Sequence, residues 1–156
     1  MDDTRVLIAS LGYGPRIITG LVREVPAKNL KRRPSADKWS AHEHACHISG
    51  EDAIYLARLD LMLSEADPYI KSDLPSAEEQ AGSMLNIDLD EALDRYARER
   101  TRLVERLTEL SDKDWQKTAK HEAFSHYSVF ILFRDLLLHE MLHAYRIEEL
   151  LLKKDW

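Results

Sequence analysis

The residues with the clearest capacity for chemistry lie at 139–143, where the sequence is HEMLH. This stretch belongs to the longest and most apolar helical run of the chain, 130–152. Two histidines four residues apart on a helix point the same way, offset by about 40° and roughly 6 Å along the axis. Such a pair, here His139 and His143, can hold one cation and leave other coordination positions to be filled from elsewhere. The alternative is a pair of histidines packed at a helix interface, and the spacing alone leaves both interpretations open.

The pattern H-E-x-x-H is also the signature of zinc peptidases, in which the histidines bind zinc and the glutamate is the general base. Only 13 residues follow His143 in this sequence, so we expect no glutamate ligand from a later helix. Arg146 and Glu149 stand where the metzincin continuation needs a glycine and a third histidine. A third ligand would therefore come from earlier in the chain. Glu140 is the leading candidate for a base because it adjoins a ligand, and the alternative is a solvated helix residue.

The length and composition of the chain indicate what class of protein holds these residues. We expect a single domain over residues 1–156, and hydrophobic and charged contents of 44% and 32% are ordinary for a soluble, helix-rich protein. No apolar run reaches the ~18 residues that span a membrane, and the acidic N-terminus lacks the basic region of a signal peptide. We therefore expect a cytoplasmic protein with no membrane contact. A lone cysteine, Cys46, excludes an intramolecular disulfide and a Cys-x-x-Cys zinc or redox pair.

The charge pattern argues against nucleic acid as a partner. The net charge is −6, with acidic and basic residues interspersed, and the only basic cluster is at 28–33. A chain that binds phosphate backbones needs a basic stripe, which this one lacks. We expect a small-molecule substrate instead.

Apolar periodicity and capping residues predict an all-α four-helix bundle with helices at about 4–25, 40–66, 88–110 and 128–152. Pro15 predicts a kink or restart in the first helix. Ser40 and Glu43 form a capping box for the second, and Asp88 and Ser128 cap the third and fourth. We expect no strand. The connection at 67–87, with a short helix near 76–83, is long enough to cross the bundle and leave the second and third helices parallel.

The second helix carries three histidines, which differ in direction. His44 and His42 lie about 60° and 140° around the helix from His47, so we expect both to face solvent or the boundary. If the second and fourth helices run antiparallel, His47 and His143 lie about 10 and 13 Å from the same end, at roughly 1.5 Å per residue. A site that joins them is therefore geometrically allowed. Acceptors for the second N–H of a ligand histidine would be Asp135, Glu43 or Glu51.

The order Trp39-Ser40-x-x-Glu43-x-x-x-His47 early in the second helix, with His139-x-x-x-His143 in the last, resembles the DinB-like superfamily of four-helix-bundle metalloproteins. That group includes bacillithiol- and mycothiol-dependent transferases. The resemblance covers nearly the whole chain, and it implies a long second crossover and a divalent ion, commonly zinc or nickel. It also implies that the ligands are the three histidines His47, His139 and His143, and that the protein is a homodimer.

Two functions follow as hypotheses. The first is a metal-dependent enzyme of the thiol S-transferase or hydrolase type, which predicts an open cleft at the metal. Its thiol would have to arrive with a low-molecular-weight cofactor, because Cys46 lies about 100° around the helix from His47. The second is a non-catalytic metal-binding or dimeric interaction module, which predicts a closed site with Glu140 facing away. For Arg146 we favour a surface pair with Glu149 over a role in anion binding.

Overall fold

The computed structural model describes residues 2–154 and residue 156. Met1 lies outside the described residues, and it is part of the acidic N-terminus from which we predicted that the protein has no signal peptide. The helices are α1 (Asp2–Glu24), α2 (Ala27–Leu30), α3 (Ala41–Ile48), α4 (Glu51–Ser64), α5 (Ala77–Ala81), α6 (Leu89–Thr108), α7 (Asp112–Gln116) and α8 (Val129–Leu151), and a 3-10 helix covers Ser83–Asn86. The bundle consists of α1, the α3–α4 pair, α6 and α8. The predicted all-α four-helix bundle is confirmed.

The second and fourth helices of the bundle run antiparallel. This is the arrangement assumed above when the heights of His47 and His143 were compared. Near the start of α3, His44 contacts His143 on α8. Further along the same side, the Tyr55 hydroxyl on α4 donates to Asp135, eight residues earlier on α8, at 3.0 Å. Partners that move backwards along α8 as the chain advances through α3 and α4 define an antiparallel pair.

The second and third helices are parallel, as predicted from the long connection between them. Arg100 on α6 donates to Asp52 on α4 at 2.8 and 2.9 Å. Farther along both helices, Arg106 lies 3.8 Å from Asp60. Both helices therefore advance in the same direction, and the segment between them has to return along the bundle.

Local capping signals mark the predicted starts of the helices. Ser40 accepts from the Glu43 amide in a complete capping box, and Asp88 and Ser128 accept from the amides three residues ahead of them. The second helix is not continuous, however, and its expected unbroken run to residue 66 is wrong. It breaks at residues 49–50, where the Ser49 hydroxyl donates to the Cys46 carbonyl at 2.7 Å.

The expectation that the chain has no strand is also wrong. Residues Tyr69–Ile70 (β1) and Lys120–His121 (β2) pair in parallel. The backbone amide of Glu122 also donates to the Ile70 carbonyl at 3.0 Å. This pairing ties the two long connections of the chain to each other, and Ile70 is only 2% exposed beneath it.

Helix α1 passes through Pro15 without ending, so of the kink or restart predicted there, the restart does not occur. Proline has no N–H to donate to the carbonyl four residues earlier, which is that of Leu11. Arg100 on α6 donates its Nη1 to this carbonyl at 2.6 Å. A side chain from another helix thus satisfies the group that the proline leaves without its helical partner.

Apolar side chains fill the bundle on both sides of this buried arginine. One cluster surrounds Leu11, Leu59, Leu103 and Phe133, and a second surrounds Ile18 and the residues that pack against it. The histidines lie along the α3–α8 face beside these clusters. None of the helices in the described part of the chain has the length and apolar character that crossing a bilayer requires.

Candidate metal centre

Three histidines from two helices converge at one point on the α3–α8 face. His47 comes from the last turn of α3, and His139 and His143 come from successive turns of α8. One ring nitrogen from each lies within 4.8 Å of the other two. The Nε2 atoms of His139 and His143 are 2.9 Å apart. The structure therefore brings together the three histidines that the family resemblance implies as ligands.

This nitrogen set suits a transition-metal ion. Two nitrogens bound to a tetrahedral zinc at about 2.0–2.1 Å lie about 3.4 Å from each other. Three nitrogens within 4.8 Å need only small side-chain movements to reach that separation. Three imidazoles also leave at least one coordination position for a water or substrate, which is the arrangement of catalytic sites.

Burial keeps these rings in the neutral form that can bind a cation. Desolvation lowers the pKa of His143 to about 2, with further lowering from the neighbouring histidines. Burial also lowers the pKa of His47 and of His139. At neutral pH, each of the three rings therefore has an unprotonated nitrogen to offer a metal.

A buried carboxylate, Glu51, stands beside two of the three rings. Its oxygens lie 3.6 Å from His47 Nε2 and 3.6 Å from His139 Nδ1, too far for a direct hydrogen bond. Burial raises the pKa of Glu51 to about 7, and repulsion from Asp73 adds to the effect. Glu79 approaches the other side of the cluster, 3.6 Å from His47 Nδ1. Of the acceptors considered from the sequence, Glu51 is the one that the structure brings to the histidines.

A cavity of about 690 Å³ opens onto the cluster, and all three histidines line it. Its wall combines acidic and aromatic side chains with one arginine, contributed by α4, α8 and both long connections: Glu51, Arg58, Asp73, Glu79, Phe124 and Asp135. His121, which sequence reasoning assigned no role, also lines it, because the β1–β2 pair fixes its position. The expected open cleft is present.

The two remaining histidines of α3 differ in their burial. His42 is only 1% exposed, and its Nε2 lies 3.0 Å from the Met84 carbonyl in the 3-10 helix, so the expectation for it is wrong. His44 is half-buried, and its Nδ1 lies 2.8 Å from Nδ1 of His143. Sequence reasoning assigned His44 no role beside the site.

Glu140 does not join the histidines. Its side chain is buried in the bundle interior, so the alternative of a solvated helix residue is wrong. The Tyr96 hydroxyl donates to its Oε2, and Arg100 Nη1 lies 2.6 Å from that oxygen. Gly14 on α1 provides the space for the carboxylate. Glu140 is also absent from the lining of the cavity, so its placement gives no support to the predicted role as a base.

Other side chains considered from the sequence have partners elsewhere. Asp135 accepts from Tyr55, and Glu43 is held by Arg33 and by its own capping box. The Arg146–Glu149 pair, 2.6 Å apart, confirms the surface interpretation of both residues.

Cys46 is buried, and burial raises the pKa of its thiol to about 11. A thiol with such a pKa is almost entirely protonated at neutral pH, so Cys46 is a poor nucleophile. This agrees with its predicted position on a different side of α3 from His47.

Comparison with known proteins places this fold in a wider group. The fold is similar to that of YfiT from Bacillus subtilis, described as a probable metal-dependent hydrolase with an unusual four-helix bundle topology, with a TM-score of 0.80. The two share 17% sequence identity, and the match covers 94% of this chain and 85% of YfiT. No curated protein matches the chain. The family model for the DinB superfamily matches residues 13–147, so this chain belongs to the DinB superfamily.

Proposed function

We propose that this protein is a metal-dependent enzyme that binds one divalent transition metal, zinc or nickel, through His47, His139 and His143. The observation that carries the proposal is the convergence of the three neutral imidazoles at the wall of a 690 Å³ cavity. A closed structural site has four protein ligands and no such opening. The cavity can admit a small-molecule substrate, and the reaction class is hydrolysis or thiol S-transfer.

A divalent ion held by three neutral imidazoles supplies Lewis acidity, which lowers the pKa of a water or thiol towards neutrality. The chain must then supply a group that accepts the released proton. Glu51 fits this role better than Glu140, because its carboxylate lines the cavity and lies 3.6 Å from two of the three rings. We therefore assign general base chemistry to Glu51 and a structural role to Glu140.

The thiol-transfer form of the proposal needs a thiol from outside the protein. Cys46 is the only cysteine of the chain, and it does not line the cavity. Its buried, protonated thiol is unsuited to attack. A low-molecular-weight thiol would therefore enter the cavity as a cosubstrate, whereas the hydrolase form requires only water.

The alternative is a non-catalytic module with a structural ion. One observation favours it: Glu140, the glutamate of the H-E-x-x-H pattern, faces the bundle interior, as that hypothesis expected. The open cavity favours the enzyme. The two hypotheses differ in whether solvent or small ligands exchange at the metal.

Elemental analysis of the untagged protein tests the metal site. We expect one equivalent of zinc or nickel in the parent and little in His143→Ala. His126→Ala, at an exposed histidine outside the cavity, is the matched control and should keep its metal. Absence of metal in the parent after addition of zinc and nickel would overturn the proposal. Metal that remains fully bound in His143→Ala would overturn the ligand assignment.

Activity assays of the metal-loaded protein then separate the reaction classes. Hydrolysis of activated esters or amides without any thiol supports the hydrolase. Turnover that depends on an added low-molecular-weight thiol supports the transferase. Glu51→Gln should lose activity in either case and retain metal, whereas loss of metal in this variant would show that Glu51 is itself needed for binding.

We also propose that the protein is a homodimer, as its family resemblance implies. Four apolar residues on one side of α8 are 50–60% exposed: Leu138, Met141, Leu142 and Tyr145. Two of them, Leu138 and Leu142, also line the cavity, so a second copy packed on this side would cover part of the site. Light scattering should give twice the 18.1 kDa chain mass, and Leu142→Glu should reduce it to one chain. A parent of one chain mass would rule the dimer out.

A further inference from the structure

The short contact between His44 and His143 has no role in the function proposed above, although it touches the most buried of the three candidate ligands. His143 is 6% exposed. Its Nε2 faces Nε2 of His139 at 2.9 Å, on the side of the three-histidine cluster. Its other ring nitrogen, Nδ1, lies 2.8 Å from Nδ1 of His44. The two nitrogens of His143 therefore face different partners.

A neutral imidazole that binds a metal through Nε2 carries its single proton on Nδ1. Metal-binding histidines in proteins usually donate this proton to a fixed acceptor, which sets the tautomer and the ring orientation. If Nε2 of His143 binds the ion, its Nδ1–H donates to Nδ1 of His44. His44 must then accept with Nδ1 and carry its own proton on Nε2.

The carboxylates near the site have other partners. Glu51 stands beside His47 and His139 rather than beside His143. Asp135 accepts from Tyr55. In the part of the chain that the structure describes, the side chain within hydrogen-bond distance of His143 Nδ1 is that of His44.

The fold holds His44 in place for this role. His44 lies one turn before His47 on α3, so one short helix presents a ligand and the partner of another ligand. Trp39 packs edge-on against the His44 ring, with ring centroids 5.5 Å apart. The capping box at Ser40 fixes the first turn of α3, and with it the backbone of His44.

We propose that His44 is a positioning residue that holds His143 in its Nδ1–H tautomer, with Nε2 free for the metal. Because His44 accepts through a neutral ring, it orients the ligand without adding negative charge to the site, unlike the carboxylates that often fill this position. The proposal rests on the proposed metal site and goes beyond its three ligands.

Two substitutions at His44 separate hydrogen bonding from packing. His44→Asn places a carbonyl oxygen where Nδ1 stands and removes most of the ring, whereas His44→Leu keeps apolar bulk and removes the acceptor. We expect His44→Leu to weaken zinc binding by about 10–100-fold in chelator competition, and His44→Asn to remain closer to the parent. If packing alone mattered, the order would be reversed.

Nitrogen-15 NMR of the full-length protein loaded with zinc gives a readout that does not depend on the variants. We expect His143 to be wholly in the Nδ1–H form, with a ¹⁵N–¹⁵N coupling across the hydrogen bond to Nδ1 of His44. A His143 without its proton on Nδ1, or without that coupling, would overturn the proposal. Equal zinc affinity in the parent and His44→Leu would also overturn it, while leaving the three-histidine site intact. A parent that binds no zinc overturns the metal site and, with it, this role of His44.

Discussion

Gly14 on α1 packs against Glu140 on α8. This contact predicts that a glycine-to-alanine change inside a helix will lower the unfolding free energy instead of raising it. Replacing a glycine inside a helix with alanine ordinarily stabilises a protein by roughly 0.5–1 kcal/mol, because alanine has less backbone freedom to lose on folding. Gly14 is buried, and a Cβ built there would clash with the Glu140 carboxylate. We therefore expect Gly14→Ala to destabilise the protein.

The size of the effect follows from what the carboxylate would lose. Glu140 is 3% exposed, and it is paired with Arg100 at 2.6 Å and with the Tyr96 hydroxyl. Breaking a buried ion pair costs about 3–5 kcal/mol. After the ordinary gain from alanine is subtracted, the net loss of unfolding free energy is about 2–4 kcal/mol. At about 2–4 °C per kcal/mol for a chain of this size, the melting temperature falls by on the order of 10 °C.

The same helix supplies the matched control. Gly20 is exposed on α1, and a Cβ there meets no atom within 4 Å. Urea denaturation should therefore show Gly20→Ala to be stabilised by about 0.5–1 kcal/mol and Gly14→Ala to be destabilised. In a Glu140→Ala background the penalty at Gly14 should disappear, giving a large coupling in a double-mutant cycle. If Gly14→Ala were as stable as Gly20→Ala, the placement of the Glu140 carboxylate against α1 would be refuted.

Three further predictions concern the site. Glu140→Gln should keep the metal content and activity of the parent, whereas a base at this position would make the variant inactive. Zinc at 100 times its dissociation constant should add about 2.7 kcal/mol to the unfolding free energy, and this gain should vanish in His139→Ala. In metal-free protein, burial raises the pKa of Glu51 from 4.5 to about 7, so its charge penalises folding above pH 7 and not below pH 4.5. The pH-dependent gain in stability from Glu51→Gln should thus be absent at pH 4 and reach about 3 kcal/mol above pH 7 in denaturant titrations.

The starts of the helices could be predicted because their signals are local. A capping box uses residues three apart, so Ser40 with Glu43 and Ser76 with Glu79 identify helix starts without knowledge of the fold. The break after α3 has no comparable signal. It depends on the hydroxyl of Ser49 bonding back to the chain, in a stretch whose apolar periodicity continues into α4. The β1–β2 pair, formed by residues about 50 positions apart, is likewise invisible to local patterns.

The meeting of the three histidines could be predicted in part. The axial rise of a helix is fixed, so the heights of His47 and His143 could be compared once an antiparallel pair was assumed. The angular positions of the histidines around α3 are a weaker guide to which of them reach α8. The roughly 60° between His44 and His47 is small enough for both side chains to reach α8, and only the packing shows that they do. His42 is buried because the 3-10 helix of the crossover covers it, which no reading of α3 by itself could show.

The glutamate of the H-E-x-x-H pattern and the proline of α1 appeared unrelated in the sequence, and the structure joins them through Arg100. Pro15 leaves the Leu11 carbonyl without its helical donor, and Arg100 supplies one at 2.6 Å. A guanidinium buried at 1% exposure requires anionic partners, which are Asp52 and Glu140. The Glu140 carboxylate therefore helps to neutralise the buried charge of Arg100. In a zinc peptidase the glutamate of this pattern faces the metal and acts as the general base. Here the H-E-x-x-H pattern is the same, but its glutamate pairs with a buried arginine.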